Sequence, residues 1–263
     1  MEKLKKFNLE DDYLDIKESL EYPTLSLTND NGKVWVKEKP VSYIVAKYYI
    51  SEEDVNKNIY LFANYYYDFH YMVDYYVVDD GTTTYNTHIS GQGIDEHHKF
   101  TTSGEHTIIF YIDINKMIES NTNVGEETID LNYAFGGVEK LISIDFSHFL
   151  ESSHVNSMES MFSGCYNLTY IIFGDNFDTS NVNSMESMFS GCGLKSLDLS
   201  TFNTSNVTNM GNMFNSCWDL TSLDLSGWDI SNVEYGACAF YGINNDDVIG
   251  VDPTLDVFNC IPT

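Results

Sequence analysis

The hydrophobic and polar positions in the second half of the chain recur about every 26 residues. Each copy begins with Met-Phe-x-x-Cys, continues with an alternating run such as Ser-Leu-Asp-Leu-Ser, and ends with an aromatic residue followed by Ser-Asn-Val. Three clear copies contain Phe162, Phe189 and Phe214, which are 27 and 25 residues apart, and fainter copies surround Phe135 and Phe240. A sustained period of this size predicts a solenoid, in which each repeat buries its apolar face against its neighbours.

Each part of the repeat carries its own structural signal. Met-Phe-x-x-Cys has apolar residues at i, i+1 and i+4, which predicts one or two helical turns. The alternating run predicts a strand with leucines inward and Ser and Asp outward, and such strands stack into a parallel sheet. The predicted buried columns are Phe162, Cys165, Phe189, Cys192, Leu197, Leu199, Phe214, Cys217, Leu223 and Leu225. The outward positions, which we take as a candidate binding surface, are Ser143, Asp145, Tyr170, Ile172, Ser196, Asp198, Ser222 and Asp224.

The first half of the chain has the pattern of a small β-sandwich. Within residues 41–114 the predicted strands are Ser42 to Ile50, Asn58 to Tyr66, Tyr71 to Val78, Thr82 to Ile89 and His106 to Asp113. Their spacing is typical of an immunoglobulin-like sandwich in the broad sense. We therefore predict a mainly β protein with an arm at 1–40, this sandwich at 41–114, a linker at 115–132, the repeats at 133–243 and a cap at 244–263.

The arm and the cap are predicted from local signals. In the arm, Asn8 to Leu20 has helical spacing, and Asn31-Gly32 lies between two short extended pieces as in a hairpin. The cap breaks the repeat phase and is expected to cover the last repeat, because an open end would expose apolar surface.

The net charge of the chain argues against nucleic-acid binding, and its hydropathy argues against membrane insertion. The chain has 40 acidic residues and a net charge of −27, and its 13 basic residues are all lysines. Such a surface repels a phosphate backbone, and without arginine there is no side chain for bidentate phosphate or guanine recognition. No apolar run is long enough to span a bilayer, and the N-terminal stretch lacks the apolar core of a signal peptide. We expect neither nucleic-acid binding nor membrane insertion.

Cysteines, histidines and carboxylates offer no clear catalytic or metal site. Cys165, Cys192 and Cys217 share one phase of the repeat and are expected as a buried column, so the five cysteines do not suggest a disulfide framework. The row of Asp145, Asp198 and Asp224 leaves Ca²⁺ binding open, although strand neighbours are widely spaced for it. The paired His97-His98 does not match a zinc spacing. No hydrolase or phosphate-loop motif occurs, so we expect no cofactor and no enzymatic activity.

The segments M-F-x-x-C-x-x-L-x-x-L-D-L-S and F-D-T-S-N-V-T-N-M resemble the BspA-like leucine-rich repeat of surface proteins. That resemblance covers roughly residues 134–241 and implies surface display and binding, usually adhesive, without a catalytic site. The opening E-Y-P-T-L-S-L-T-N-D-N-G-K-V-W-V resembles those of repeat-bearing structural proteins in phages of gut Bacteroidales. The segment T-S-G-E-H-T-I-I-F-Y-I resembles the last strand of Ig-like modules that precede such repeats.

We therefore expect a non-enzymatic structural or display protein of a phage virion: a capsid decoration, a head fibre or a tail-associated protein. Residues 1–114 would bind other virion proteins, and the repeat surface would meet a glycan or a host protein. A bacterial cell-surface adhesin is the alternative, with the same repeat surface as its binding face. The oligomeric state is left open, a homo-oligomer included.

Overall fold

The computed structural model describes residues 5–6, 28–30, 33–36, 42–63, 73–77, 83–84, 97–112, 128–150 and 152–260. These residues are mainly β, as predicted, with small sheets and short 3-10 helices at Ser152–His154, Asn245–Asp247 and Asp256–Phe258. In the described part of the chain no helix has the length and hydrophobicity that crossing a bilayer requires. The strands are β1 (Lys5–Lys6), β2 (Thr28–Asp30), β3 (Lys33–Val36), β4 (Ser42–Ile50), β5 (Ile59–Tyr60), β6 (Val73–Val77), β7 (Thr83–Thr84), β8 (His97–His98), β9 (Gly104–Ile112), β10 (Ile129–Asp130), β11 (Leu141–Asp145), β12 (Val155–Ser157), β13 (Tyr170–Ile172), β14 (Ser196–Leu197), β15 (Ser222–Asp224) and β16 (Val248–Ile249).

The chain divides into two compact units, Met1–Ser42 and Tyr43–Thr263. The first contains an antiparallel sheet in the order β1-β3-β2, in which Asp30 lies opposite Lys33. This pairing confirms the hairpin predicted around Asn31-Gly32. The helix predicted from Asn8 to Leu20 lies outside the described residues.

The largest sheet of the second unit joins strands from both halves of the sequence. Its order is β13-β11-β4-β9-β6-β7, and β4 pairs antiparallel with the repeat strand β11. The bounds of β4 confirm the predicted strand Ser42 to Ile50, and its alternating burial follows from having one face on the core. A separate two-stranded ladder joins β5 to β8. The Ig-like arrangement of this region stays a prediction.

The helical turns predicted at Met-Phe-x-x-Cys are wrong, because these segments are tight turns that bond to the next copy. The N–H groups of Ser160, Phe162 and Gly164 donate to carbonyls of the Phe189 copy at 2.7–2.9 Å. In an α-helix, N–H groups beyond the first turn donate to carbonyls four residues earlier in the same segment, and not to a neighbouring copy. Left-handed backbone at Ser160 (φ 54°) and Gly164 (φ 76°) turns alternate N–H groups towards the neighbouring copy.

Stacked aromatic rings form the centre of the core. Successive phenylalanines lie 5.5–5.9 Å apart, with rings within 16° of parallel. The column consists of Phe135, Phe162, Phe189, Phe214 and Phe240. Each such pair contributes about 0.5–1.5 kcal/mol beyond the burial of its area. Phe110 of β9 packs on Phe135 at 5.6 Å, so the core continues from the repeats into the large sheet.

A second column consists of buried hydroxyl groups that tie each copy to the next. The Thr179 hydroxyl donates to the Asn203 carbonyl at 3.0 Å and accepts from the Asn203 N–H at 2.8 Å. Thr204 makes the same two bonds with Asp229, at 3.0 and 2.9 Å. The equivalent position in the following copy is Ile230, which is half-buried. The column therefore changes from hydroxyl to aliphatic where the run of regular copies ends.

The cap contains a disulfide, which corrects the expectation that the cysteines form none. Cys238 and Cys260 are bonded, and the Cys238 N–H donates to the Phe258 carbonyl at 3.1 Å. Phe258 packs edge-on against Phe240 at 4.9 Å, so this segment covers the end of the aromatic column. Both cysteines are out of phase with the repeat, which is why phase alone does not pair them. Cys165, Cys192 and Cys217 are free and buried.

Candidate binding surface

The predicted surface residues lie on the outer face of the repeat strands, in two groups. On β11 and β13, Ser143 pairs with Tyr170 and Asp145 pairs with Ile172. The second group, on and next to β14 and β15, consists of Ser196, Asp198, Ser222 and Asp224. Among the described residues no backbone ladder joins β13 to β14.

A shortened turn explains this interruption. Gly193 stands where the preceding copy has two residues, Tyr166 and Asn167. A Cβ built at Gly193 would lie 2.2 Å from the Tyr166 carbonyl oxygen, so only glycine lets the turn pass so close. The single predicted surface is therefore divided by the geometry of one turn.

The outer face extends onto β4, which sequence reasoning did not include. Lys47 lies opposite Ser143, and Val45 lies opposite Asp145. Tyr49 continues the same face and is 54% exposed, similar to Tyr170 at 57%. The alternation in β4, where Ile44, Ala46 and Tyr48 are buried, was the signal for an outward face. Its pairing with β11 required the tertiary structure. In the separate sheet formed by β14, β15 and β16, Ile249 of β16 lies opposite Asp224.

The ten predicted core residues are all buried, at 0–7% exposure. The three thiols donate to carbonyls of the preceding copy at 2.9–3.1 Å. Burial raises the pKa of Cys165 to about 12 and that of Cys217 to about 11. A thiol with so high a pKa is protonated at neutral pH and is a poor nucleophile or metal ligand.

The aspartates of the surface shape the turns that follow their strands. Asp145, Asp198 and Asp224 each accept a hydrogen bond from the backbone N–H two residues later, at 2.8–3.0 Å. The hydroxyl and N–H of Ser226 lower the pKa of Asp224, and Ser200 acts likewise on Asp198. Within the described ranges no three His, Cys, Asp or Glu side chains are grouped to hold a metal ion. The carboxylates serve as local turn acceptors.

A row of asparagines also bonds between copies. The side-chain amides of Asn181, Asn206 and Asn232 donate to serine carbonyls one copy earlier, at 2.6–2.8 Å. These amides repeat in one phase because each joins its copy to the preceding one.

Two stacked carboxylates form a further electrostatic feature that sequence reasoning missed. Glu159 and Glu186 hold the same place in consecutive copies and are half-buried. Burial, with a smaller contribution from the charge of Glu186, raises the pKa of Glu159. Glu186 accepts a hydrogen bond from the Asn209 amide at 2.7 Å, which holds it in place. The repeated Met-Glu-Ser sequence was the available signal.

Exposed aromatic side chains are the most conspicuous apolar groups on this acidic protein. They are Tyr49, Tyr60, Tyr166, Tyr170, Trp218, Tyr235 and Tyr241, each 54–66% exposed. Tyrosine and tryptophan present a large apolar ring with a polar tip, which suits contact with a partner. The histidines discussed above serve other contacts: His97 packs on Tyr60 at 4.0 Å and His98 on Phe100 at 4.6 Å.

Comparison with known proteins finds a match to a family model in the repeat region. No curated protein and no solved structure matches the chain. The matched segment runs from β10 to the start of β16, so it covers all five copies of the repeat. Residues 129–248 match the family described as "Mycoplasma protein of unknown function, DUF285".

Proposed function

We propose that this chain is a non-enzymatic binding and display protein. In this proposal the repeat region is a short leucine-rich-repeat-type solenoid that holds a rigid outer face. The region at 41–114 is an Ig-like spacer, and residues 1–114 make the contacts that anchor the protein to virion or surface proteins.

The observation that carries the proposal is how the polar groups of the repeat are used. The Asn and Thr columns bond copy to copy, and the Asp row supports the turns. The thiols are buried with raised pKa values, which removes them as nucleophiles. The groups left facing outward are aromatic rings and a few charges, among them Lys47, Tyr49 and Tyr170. Such a surface suits recognition of a partner.

The disulfide between Cys238 and Cys260 supports a location outside the reducing cytosol. Disulfides persist in secreted proteins and on the surfaces of cells and virions, and they are rare in the cytosol. We propose a phage virion as that location, on the strength of the phage-like opening segment. The match to a Mycoplasma family favours the second candidate, a bacterial surface adhesin that binds a host protein or a glycan.

Surface labelling tests display, and fractionation separates the two candidates. Antibodies raised against the purified full-length protein should label intact particles or unpermeabilised cells. Recovery of the protein in purified virions supports the virion, and recovery in the cell-envelope fraction supports the adhesin. Absence from both, with the protein confined to the soluble cell extract, would overturn the display role.

Binding through the outer face is tested by substitution. Tyr170→Ala with Lys47→Glu should abolish retention of the partner recovered with the wild-type protein. Thr221→Val, which alters an exposed hydroxyl away from this group, is the matched control. If the double variant retains its partner as the wild type does, then this face is not the binding surface.

A further inference from the structure

Two exposed aromatic rings touch in the last two copies of the repeat: Trp218, which follows Cys217, and Tyr241, which follows Phe240. We name these two residues, together with Gly242 beneath the indole, the aromatic corner. The ring centroids of Trp218 and Tyr241 are 6.0 Å apart, with an angle of 73° between the rings. Trp218 is 66% exposed and Tyr241 is 55% exposed. Two nearly perpendicular rings, both open to solvent, present two aromatic surfaces side by side to a small group.

The fold does not require aromatic residues at these two positions. The position of Trp218 within the copy is occupied by Glu139, Tyr166 and Gly193 in the earlier copies. The position of Tyr241 is occupied by Gly136, Ser163, Ser190 and Asn215. The Trp218 column also contains an aromatic residue at Tyr166, but the residue beside it in the next copy is Ser190, so no pair of rings forms there. In the last two copies both columns carry aromatic residues and the two rings touch, which the repeat itself does not require.

The corner is held in place by close packing against the backbone. A Cβ built at Gly242 would lie 2.9–3.1 Å from three carbons of the Trp218 six-membered ring, so the indole rests directly on this glycine. Gly242 has φ 95°, a conformation that suits glycine. The Ser216 N–H donates to the Tyr241 carbonyl at 2.8 Å, which fixes the tyrosine backbone to the preceding copy.

Comparison with Trp228 shows that Trp218 is not part of the repeat core. Trp228 stacks on Phe202, and its indole N–H donates to the Leu199 carbonyl at 3.4 Å. The Trp218 N–H has no hydrogen-bond partner among the described residues, and one of its ring faces looks into solvent. The face of an indole is the most favourable aromatic surface for a cation.

The charge around the corner favours a positively charged ligand. From Ala134 onward the chain has sixteen acidic residues and two lysines. Asp219, next to Trp218, and Asp246, five residues after Tyr241, are both exposed. The field of such a surface attracts cations and repels anionic groups.

We propose that the aromatic corner binds a quaternary ammonium group, with choline as the ligand class. A primary ammonium is strongly hydrated, and it would need hydrogen-bond acceptors to replace that water. A quaternary ammonium has no N–H group and needs only ring faces and a negative field. A sugar would use neighbouring amides, but Asn215 is bonded to Asn212 and Ser216, and Asn244 accepts from the Asp246 N–H, so the exposed carboxylates of Asp219 and Asp246 are left, and these favour a cation.

This inference rests on the proposed binding and display role in one respect, the place where the protein encounters its ligand. Choline groups occur on lipids and on modified glycans outside the cell, where a displayed protein would reach them. The test is a titration of the full-length protein with choline chloride at constant ionic strength, followed by calorimetry and by the aromatic NMR signals. The neutral isostere 3,3-dimethyl-1-butanol has the same shape without the charge. We expect it to bind about tenfold more weakly, because the cation–π contribution is lost.

Variants locate the site and control for folding. Trp218→Ala and Tyr241→Ala should each weaken choline binding about tenfold, whereas Trp218→Phe should retain most of it. Tyr166→Ala is the matched control, since Tyr166 lies in the same column as Trp218 and is also exposed, at 57%, but its hydroxyl donates to Glu139 at 3.3 Å. Unchanged far-UV circular dichroism and thermal melting show that the variants are folded.

Several outcomes would overturn the proposal. Equal binding of choline and its isostere would show a merely apolar patch. Unchanged binding by Trp218→Ala would place the site elsewhere. If N-acetylglucosamine binds, Trp218→Ala abolishes that binding, and choline does not bind, then the corner is a sugar site. A failure of choline binding in a protein that antibodies detect on the surface refutes this inference alone and leaves the display role standing.

A second arm distinguishes the sources of choline. Binding of the protein to phosphatidylcholine vesicles would identify a lipid headgroup as an accessible source of choline. Phosphatidylglycerol vesicles, which are anionic and lack choline, are the control. Binding of free choline without binding to vesicles identifies soluble or glycan-attached choline. Both results support the site.

Discussion

Replacing Thr179 by valine tests whether the buried hydroxyl column holds the copies together. Thr179 is fully buried, and its hydroxyl both donates to and accepts from the Asn203 backbone, at 3.0 and 2.8 Å. Valine has nearly the same shape, so packing is preserved while both hydrogen bonds are lost. Each bond is worth about 0.5–1.5 kcal/mol net, and the part-buried N–H and C=O of Asn203 lose their partner. We expect the free energy of unfolding to fall by about 2 kcal/mol.

The measurement is equilibrium urea denaturation followed by far-UV circular dichroism. Thr179→Ser keeps the hydroxyl and loses only a methyl group, so it should be less destabilised than Thr179→Val. Thr221→Val removes an exposed hydroxyl whose bond is 3.4 Å long, and it should change stability by less than about 0.5 kcal/mol. A Thr179→Val protein as stable as the Thr221→Val control would refute the reasoning.

Three further predictions concern the cysteines and one ion pair. Burial raises the pKa of Cys192, so this thiol should not react with an aromatic disulfide reagent in the folded protein. It should react once urea unfolds the chain. Rapid labelling without urea would contradict its burial. The hydrogen bond from Lys140, 2.5 Å from Asp54, is the main cause that lowers the pKa of Asp54 to about 2. A lowered folded-state pKa contributes stability at pH above about 4 that is lost as the pH falls towards 2. Lys140→Met should therefore flatten the dependence of the melting temperature on pH between 2 and 5, and an unchanged profile would disprove the assignment. Cys260→Ser should lower the free energy of unfolding by about 3 kcal/mol, because the bond to Cys238 closes a loop of 22 residues, and wild type in reductant should match it.

The repeat period and its buried columns follow from the sequence alone. Phe189 and Cys192 recur in phase with their counterparts, so the pattern that predicts burial in one copy predicts it in the neighbouring copies as well. The strand at Ser42 to Ile50 was equally predictable, because alternation is a local pattern. The aspartates were predicted to face outward, but their bonds to the N–H two residues later are a matter of turn geometry.

Hydrogen bonding between copies was decided only by the tertiary structure. The Met-Phe-x-x-Cys spacing is compatible with a helix. The segment forms turns instead, because the N–H groups of Ser160, Phe162 and Gly164 donate to carbonyls in the next copy. Local sequence carries no information about an acceptor some 26 residues away. The pairing of β4 with β11 and the bond between Cys238 and Cys260 have the same origin. The sequence by itself therefore determined what each copy buries, and the contacts between distant segments decided where each backbone group bonds and which side chains are left on the surface.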